Sequence, residues 1–167
     1  MASEAVILIG MPGSGKSTVG VLLAKRLARP FVDTDLLVQA RAGRRLQQII
    51  DAEGLEAFGR LERQSLLELE PGRSVVATGG SAVYYPDAMA HLAGLGRIVY
   101  LRASLGTLRA RIADPSDRGI VIEPGRSFED LYRQRCPLYE RYAQLPPDCH
   151  ALDQAGAAER LAPPLVC

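Results

Sequence analysis

The sequence of 167 residues has little excess charge, few cysteines and no long apolar run. Its formal net charge is +1, and it contains no basic block and no interleaving of basic with aromatic residues, so a nucleic-acid partner is not expected. The three cysteines are an odd number without metal-ligand spacing, which is typical of reduced thiols in a cytoplasmic protein. The first apolar run is too short for a signal peptide or a membrane span. We therefore expect a cytoplasmic protein without a membrane partner.

A chain of this length is expected to fold as one domain, residues 1–167, with an apolar core of its own. Short apolar runs alternate with helical patterns, which is typical of a doubly wound α/β fold. Strands are predicted at residues 5–9, 30–33, 74–78, 97–101 and 149–152. Helices are predicted between the strands, most clearly at residues 55–69, 104–112, 127–143 and 155–161. The sequence carries no signal for assembly, and we expect a monomer.

Residues 10–17 read Gly-Met-Pro-Gly-Ser-Gly-Lys-Ser, which is the complete phosphate-loop pattern G-x-x-x-x-G-K-[ST]. The pattern lies between the apolar run 5–9, typical of a buried parallel strand, and apolar residues at helical spacing from Val19 to Leu27. In this context the loop leads to a helix N-terminus, where backbone N–H groups bind phosphate. The sequence therefore predicts a binding site for a nucleoside triphosphate.

Lys16 and Ser17 have distinct expected roles in this loop. Lys16 is expected to reach the β- and γ-phosphates, and the Ser17 hydroxyl to take a coordination site on Mg²⁺. Of the 20 basic residues only two are lysines, and a compact ammonium fits between phosphates better than the guanidinium used elsewhere in the chain. The predicted nucleotide-binding residues of the loop are Gly13, Ser14, Gly15, Lys16, Ser17 and Thr18.

Two aspartates follow the second predicted strand, at the edge of the sheet where α/β proteins bind ligands. Asp33 and Asp35 are two residues apart, so both side chains point the same way from an extended backbone. Asp33 suits the outer shell of the metal, and Asp35 suits positioning or deprotonating a hydroxyl. Asp35 is also a candidate N-cap for a helix from Leu36, because aspartate is favoured there, and the two roles can coexist.

Residues 113–126 form a predicted loop rich in Gly, Pro, Asp and Ser. A loop of about a dozen residues without structure of its own is uncommon in a compact domain and is often a functional lid. This segment contains Arg118, and Gly119 and Gly125 are candidate flexible points.

Seven motifs occur together along the chain: Gly10 to Thr18, Asp33-Thr34-Asp35, Phe58-x-x-x-Glu62, Thr78-Gly79-Gly80, Arg111, Arg118, and Arg135-Cys136-Pro137-Leu138-Tyr139. In this order they resemble the shikimate kinase family over nearly the whole chain. The resemblance implies a P-loop kinase of the nucleoside-monophosphate-kinase type, with a five-stranded parallel sheet flanked by helices. It also implies a lid at about residues 113–126 and a mobile acceptor-binding segment at about residues 35–62. The implied reaction is ATP-dependent, uses Mg²⁺, and phosphorylates a hydroxyl of a small carboxylate.

The resemblance also implies roles for individual residues. Lys16, Asp35 and Arg118 would be catalytic, with Arg118 neutralising charge on the transferred phosphoryl group. Arg111 would lie against the adenine, and Arg135 would bind the carboxylate of the acceptor substrate. The implied metal-site residues are Ser17 and Asp33. The predicted acceptor-binding residues are Asp35, Glu62, Arg63, Gly79, Gly80, Ser81 and Arg135, of which the two glycines would use backbone N–H groups.

Position 59 departs from the family pattern. The family usually has Phe-Arg-x-x-Glu, whose arginine helps to bind the carboxylate of shikimate, whereas this chain has Gly59. Losing one member of a buried charge pair costs about 2–5 kcal/mol, which is enough to impair binding of a substrate that depends on it. The third glycine of the family's Gly-Gly-Gly is Ser81, which adds a hydroxyl on the acceptor side.

Two hypotheses account for Gly59. In the first, Arg63 lies one turn later on the same helix face and leans back over the vacated position, so shikimate remains the acceptor. In the second, Glu62 has lost its arginine partner and receives a cation. An amino acid with a side-chain hydroxyl, such as homoserine, would then offer its carboxylate to Arg135 and its ammonium to Glu62.

A different class of function is a phosphate-loop regulator that binds nucleotide in order to change partners. The guanine-reading pattern Asn-Lys-x-Asp does not occur in the sequence, and residues 113–126 have the composition of an enzymatic lid. A kinase that binds its acceptor without reacting is favoured only by Gly59. The residues that favour turnover are Lys16, Ser17, Asp33, Asp35 and Arg118.

Overall fold

The computed structural model describes residues 4–112, 120, 122–144 and 153–162. In chain order its elements are β1 (Ala5–Ile9), α1 (Lys16–Leu27), β2 (Phe31–Asp33), α2 (Thr34–Ala42), α3 (Leu46–Leu67), β3 (Val75–Ala77), a 3₁₀ turn (Ala82–Tyr84), α4 (Pro86–Leu95), β4 (Gly96–Tyr100), α5 (Leu105–Arg111), α6 (Phe128–Tyr142) and α7 (Gln154–Leu161). Within these ranges, no helix is both long enough and apolar enough to cross a membrane.

The described residues form one sheet of four parallel strands in the order β2-β3-β1-β4. β1 is central, with Ile7 opposite Val76 of β3 on one side and opposite Ile98 of β4 on the other. All five residues of β1 are buried, as expected for a parallel strand covered on both faces. The first four predicted strands are confirmed within one residue. The sheet has four strands instead of five, and the predicted fifth strand, 149–152, lies outside the described residues.

The helices agree with the predicted pattern where the sequence has clear caps. The side chains of Ser104, Ser127 and Asp153 each accept a hydrogen bond from a backbone N–H in the first turn of α5, α6 and α7. The predicted helix 55–69 instead begins at Leu46 and continues through a break at Gly54, where φ is 82°. At that angle glycine is strongly favoured, so α3 consists of two helical pieces in succession.

The first turn of α2 corrects the capping assignment made for Asp35. The helix begins at Thr34, and the Asp33 carboxylate accepts a hydrogen bond of 3.0 Å from the Asp35 backbone N–H. Asp33 is therefore the N-cap, and Asp35 is a residue of the first turn. The Asp35 carboxylate does not cap the helix and can therefore contact a ligand at the carboxyl edge of the sheet.

Two apolar layers cover the sheet. One layer places α3, α4 and α6 against β1, β3 and β4, and its most buried members include Ile7, Leu92 and Tyr139. The Tyr139 ring stacks on Tyr100 of β4 with ring centroids 5.1 Å apart. The second layer places α1 and α7 on the opposite face. The site described below lies at the carboxyl ends of β1, β2 and β3, as expected for a parallel α/β sheet.

β1 and β4 approach each other closely at the start of β4. Gly96 lies opposite Ala5, and a Cβ built on Gly96 would stand 2.0 Å from the Ala5 carbonyl oxygen. A side chain there would overlap the central strand, so the pairing of these two strands requires glycine.

Candidate active site

Lys16 is the first residue of α1 and is buried. Its ammonium donates hydrogen bonds of 2.9 Å to the carbonyl oxygens of Gly10 and Met11. Burial lowers the pKa of Lys16 to about 8, and the nearby carboxylates of Asp35 and Asp33 oppose that shift. The structure thus places the one ammonium of the phosphate loop at a helix N-terminus, where a phosphate group binds.

The loop itself has the backbone geometry that phosphate binding requires. Gly13 and Gly15 have φ angles of 80° and 93°, which allow successive N–H groups to converge. Arg111, at the end of α5, donates from Nη1 to the carbonyl oxygens of Gly13 and Ser14 at 3.4 and 3.3 Å. On the other side, a Cβ on Gly15 would lie 3.2 Å from Nε2 of Gln154. Two side chains from distant helices therefore border the loop.

Ser17 and Asp33 are close enough to share a ligand. The Ser17 hydroxyl donates a hydrogen bond of 2.7 Å to Oδ2 of Asp33. A hydroxyl and a carboxylate are hard oxygen ligands of the kind that Mg²⁺ prefers, directly or through water. The donor set therefore fits the metal role expected for these two residues.

A cavity of about 490 Å³ joins the phosphate loop to the carboxyl ends of β2 and β3. On the nucleotide side the predicted residues that line it are Gly13, Gly15, Lys16, Ser17, Thr18 and Arg111. On the acceptor side they are Asp35, Glu62, Gly79, Gly80, Ser81 and Arg135. Of the predicted site residues that the structure describes, Ser14, Asp33 and Arg63 do not line the cavity. Arg118 and Gly119, in the predicted lid, lie outside the described residues.

Glu62 is a carboxylate with almost no exposure, at 1% of its surface. Its Oε2 accepts hydrogen bonds from the Ser81 hydroxyl at 2.5 Å and from the Tyr85 hydroxyl at 3.1 Å. Its Oε1 is also buried and has no hydrogen-bond partner among the described residues. Burial raises the pKa of Glu62 to about 7, against the two hydrogen bonds, which lower it. One oxygen of Glu62 is thus held in place and the other is left unpaired at the cavity.

Asp35 and Glu62 flank Gly79 on the acceptor side. A Cβ on Gly79 would lie 2.3 Å from Oε1 of Glu62 and 2.8 Å from Oδ1 of Asp35, so only glycine leaves room for both carboxylates. Burial, with a smaller contribution from Asp33, raises the pKa of Asp35 to about 6. The Gly79 N–H donates to the Thr34 hydroxyl at 3.2 Å. The Gly79 N–H therefore has a partner within the protein, and its use by the acceptor substrate stays a prediction.

Arg135, on α6, is 1% exposed, which is rare for arginine. Its Nε–H donates to the Tyr84 hydroxyl at 3.0 Å, and its guanidinium carbon lies 4.9 Å from the centroid of the Tyr84 ring. The Tyr139 hydroxyl, one turn later on the helix, donates to the Gly80 carbonyl oxygen at 2.5 Å. These contacts fix a guanidinium at the acceptor side, where it can bind a carboxylate through two parallel hydrogen bonds.

Sequence reasoning missed three residues that shape the site. Tyr84 and Tyr85 follow the Gly79-Gly80-Ser81 segment closely, and that proximity was the only available signal. Gln154 belongs to α7, which packs on α1, and nothing local in its sequence indicates a position beside the phosphate loop.

A model of the shikimate kinase family matches residues 12–162 of the chain. The chain belongs to the shikimate kinase family. It is an ATP-dependent small-molecule kinase, and the family implies a divalent metal beside the nucleotide. This match confirms the resemblance to the shikimate kinase family that the sequence motifs predicted.

Individual shikimate kinases match most of the chain. One from Aromatoleum aromaticum is 42% identical over 144 residues, which cover 84% of this chain and 82% of that protein. One from Paracidovorax citrulli is 40% identical over 141 residues, covering 81% and 77%. The solved structure of shikimate kinase from Acinetobacter baumannii in complex with shikimate matches with a TM-score of 0.84 at 29% identity, covering 94% of this chain and 89% of that one.

In this shikimate kinase family member the space beside Gly59 is filled by a tyrosine. A Cβ on Gly59 would lie 2.9 Å from the Tyr85 hydroxyl oxygen. Arg63 is directed elsewhere, because its guanidinium forms an ion pair with Asp87 at the surface. The hypothesis that Arg63 covers the vacated position is therefore wrong for this structure.

Proposed function

We propose that this kinase transfers the γ-phosphoryl group of ATP to a hydroxyl of shikimate. The observation that supports the proposal most is the cavity that places the phosphate loop opposite Arg135 and Asp35. A small carboxylate bound to Arg135 would have its hydroxyls near Asp35 and Lys16, so one compound spans the distance from the guanidinium to the phosphates. Family membership and the Acinetobacter baumannii structure in complex with shikimate support the same acceptor.

The residues would act mainly by positioning and by neutralising charge, because phosphoryl transfer requires little covalent chemistry from the protein. The loop N–H groups and the Lys16 ammonium bind the phosphates and stabilise the charge that develops on them. Asp35 orients the acceptor hydroxyl and accepts its proton. Arg118, outside the described residues, is assigned to charge neutralisation through the resemblance.

We also propose Mg²⁺ as the divalent metal. Ser17 and Asp33 would hold it, on the side of the loop where their oxygens meet. When bound, Mg²⁺ neutralises charge on the phosphates. Arg111 would lie against the adenine. In line with the composition, we propose that the enzyme acts in the cytoplasm as a monomer of one domain, without nucleic acid or membrane.

A second candidate acceptor is an amino acid with a side-chain hydroxyl, such as homoserine. The unpaired, buried Oε1 of Glu62 supports it, because an ammonium group would supply the missing hydrogen bond. The carboxylate of such a compound would still bind Arg135.

Coupled measurement of ADP release with shikimate, homoserine and gluconate tests both candidates. We expect turnover with shikimate and none with gluconate. Turnover with homoserine and not with shikimate would replace the first candidate by the second. ATP hydrolysis that is independent of all three acceptors would contradict the kinase proposal.

A further inference from the structure

We propose that Tyr85 and Ser81 are positioning residues that hold Glu62 with one oxygen toward the acceptor substrate, and that Gly59 is required by the Tyr85 hydroxyl. The inference rests on the proposed function only in assigning the Glu62 side of the cavity to the acceptor.

The hydrogen bonds at Glu62 are one-sided. Both hydroxyls donate to Oε2, so this oxygen has two partners and Oε1 has none among the described residues. Ser81 and Glu62 line the cavity, whereas Tyr85 contacts Glu62 from behind it. A buried acceptor without a donor is costly, and a hydroxyl or ammonium group of the bound substrate would remove that cost.

Tyr85 and Gly59 depend on each other. The hydroxyl of Tyr85 stands 2.9 Å from the position of a Cβ on Gly59, which is closer than a real Cβ contact. Tyr85 is the residue before α4, so its backbone is fixed by the helix that follows. Any side chain at position 59 would therefore push the hydroxyl away from Glu62. The pair supplies Glu62 with a neutral hydrogen-bond donor, where the family pattern has a charged arginine.

The surrounding charges favour different groups of the acceptor substrate at the Glu62 corner and at Arg135. Glu62 and Asp35 of α2 lie on either side of Gly79. Arg135 on α6 and Lys16 on α1 also interact electrostatically with Glu62. Two carboxylates around Gly79 repel a substrate carboxylate from that corner, and Arg135 attracts it. Glu62 therefore selects a donor group, and Arg135 selects the carboxylate.

The first test compares Tyr85→Phe and Ser81→Ala with the wild type under steady-state kinetics. We expect the KM for the acceptor to rise about fivefold, the change for loss of one hydrogen bond of ordinary strength. The KM for ATP stays unchanged, because both residues lie on the acceptor side of the site. The matched control is Tyr132→Phe, which removes a tyrosine hydroxyl that donates to the Ala103 carbonyl away from the cavity. An unchanged acceptor KM in both variants would overturn the proposal.

The pH profile distinguishes positioning of Glu62 from a general structural effect. Because the bonds from Ser81 and Tyr85 favour the ionised form, either substitution raises the pKa of Glu62. The acidic limb of kcat/KM then moves to higher pH, whereas Tyr132→Phe leaves it in place. The carboxyl ¹³C shift of Glu62, followed by NMR in a pH titration, gives the same comparison without turnover. It therefore tests the inference even if shikimate is not the acceptor. Equal Glu62 titration in wild type and Tyr85→Phe would contradict it.

A double-mutant cycle tests the dependence of Gly59 on Tyr85. Gly59→Ala is expected to raise the acceptor KM about as much as Tyr85→Phe, and the double variant no more than either. Gly94→Ala in α4 is the control, because no atom of the described residues lies within 4 Å of a Cβ there. Effects that multiply in the double variant would overturn the coupling. If the wild-type enzyme showed no turnover with shikimate, that result would instead contradict the proposed function.

Discussion

At the scale of single residues, two neighbouring carboxylates have different surroundings. Asp35 is partly buried, close to Asp33 and Lys16, while Glu62 is fully buried and held by two hydroxyls. Both pKa values are raised by burial, to about 6 and about 7 respectively. The two carboxylates therefore differ in exposure and in hydrogen bonding, although both line the cavity and flank Gly79.

Asp35→Asn is expected to lower kcat by about 10²–10⁴-fold, because the amide keeps the shape of the side chain but accepts no proton. The KM for ATP should stay near the wild-type value. Steady-state kinetics with ATP and acceptor varied separately measure both effects. A variant that weakens ATP binding alone would show that Asp35 serves the nucleotide instead.

Glu62→Gln is expected to stabilise the substrate-free protein at alkaline pH. The folded-state pKa of Glu62 lies above its ordinary value of 4.5, so its favourable contribution is present below about pH 4.5 and is lost as pH rises through about 7. At pH 8 the substitution should raise the free energy of unfolding by about 3 kcal/mol, and at pH 4.5 by much less. Urea unfolding at both pH values measures the difference.

The control for this experiment is Glu56→Gln on the same helix, whose side chain is 90% exposed. It should change the free energy of unfolding little at either pH. Equal stabilisation by Glu62→Gln at pH 4.5 and pH 8 would contradict the link to ionisation.

Much of the site could be predicted because short motifs specify it. The pattern around Lys16 requires a particular backbone, and Asp35 follows a strand end, so both positions are determined locally. The partners of Glu62 were missed because Tyr85 is 23 residues away in the sequence and reaches it only after α3 and α4 pack together. The same packing directs Arg63 to Asp87, which local helical geometry alone cannot show.

At the scale of elements, the positions of the strands could be predicted from apolar runs and helices could be expected between them, while the bounds of two helices could not be predicted. α2 and α4 lack strong periodic patterns of their own, and each begins at a cap or proline next to a sheet end. The break at Gly54 in α3 also has no periodic signal, because apolar spacing continues on both sides of it.

Gly96→Ala is expected to destabilise the fold strongly, because its methyl group would overlap the backbone of Ala5 in the central strand. Overpacking of this kind costs about 3 kcal/mol or more when the obstacle is main chain. Gly94→Ala, two residues earlier in α4, should be neutral or stabilising by up to about 1 kcal/mol. Thermal unfolding of both variants gives the comparison, and equal melting temperatures would contradict the close approach of β1 and β4.

At the scale of the whole molecule, the site depends on both layers of the fold. The phosphate loop leads into α1, which packs with α7 on one face of the sheet, while Arg135 and Glu62 come from α6 and α3 on the other. With the roles proposed above, nucleotide and acceptor would contact opposite layers, and a ligand that bridges the layers would stabilise the native state as a whole.

ATP with Mg²⁺ is expected to raise the free energy of unfolding by about 2.7 kcal/mol at a hundredfold excess over its Kd. Lys16→Met should remain folded, lose most of that stabilisation, and lose at least about a hundredfold in activity. Differential scanning fluorimetry with and without nucleotide measures the shift. An equal shift in wild type and Lys16→Met would contradict the assignment of this lysine to the phosphates.

The hydrogen bonds from Lys16 to the carbonyls of Gly10 and Met11 also bear on how a reaction cycle ends. An ammonium that turns onto a phosphate would give up one or both of these hydrogen bonds, and it would regain them when ADP departs. The hydrogen bonds that re-form within the protein would offset part of the free energy lost when ADP dissociates. A loop that binds phosphate tightly can therefore still release ADP.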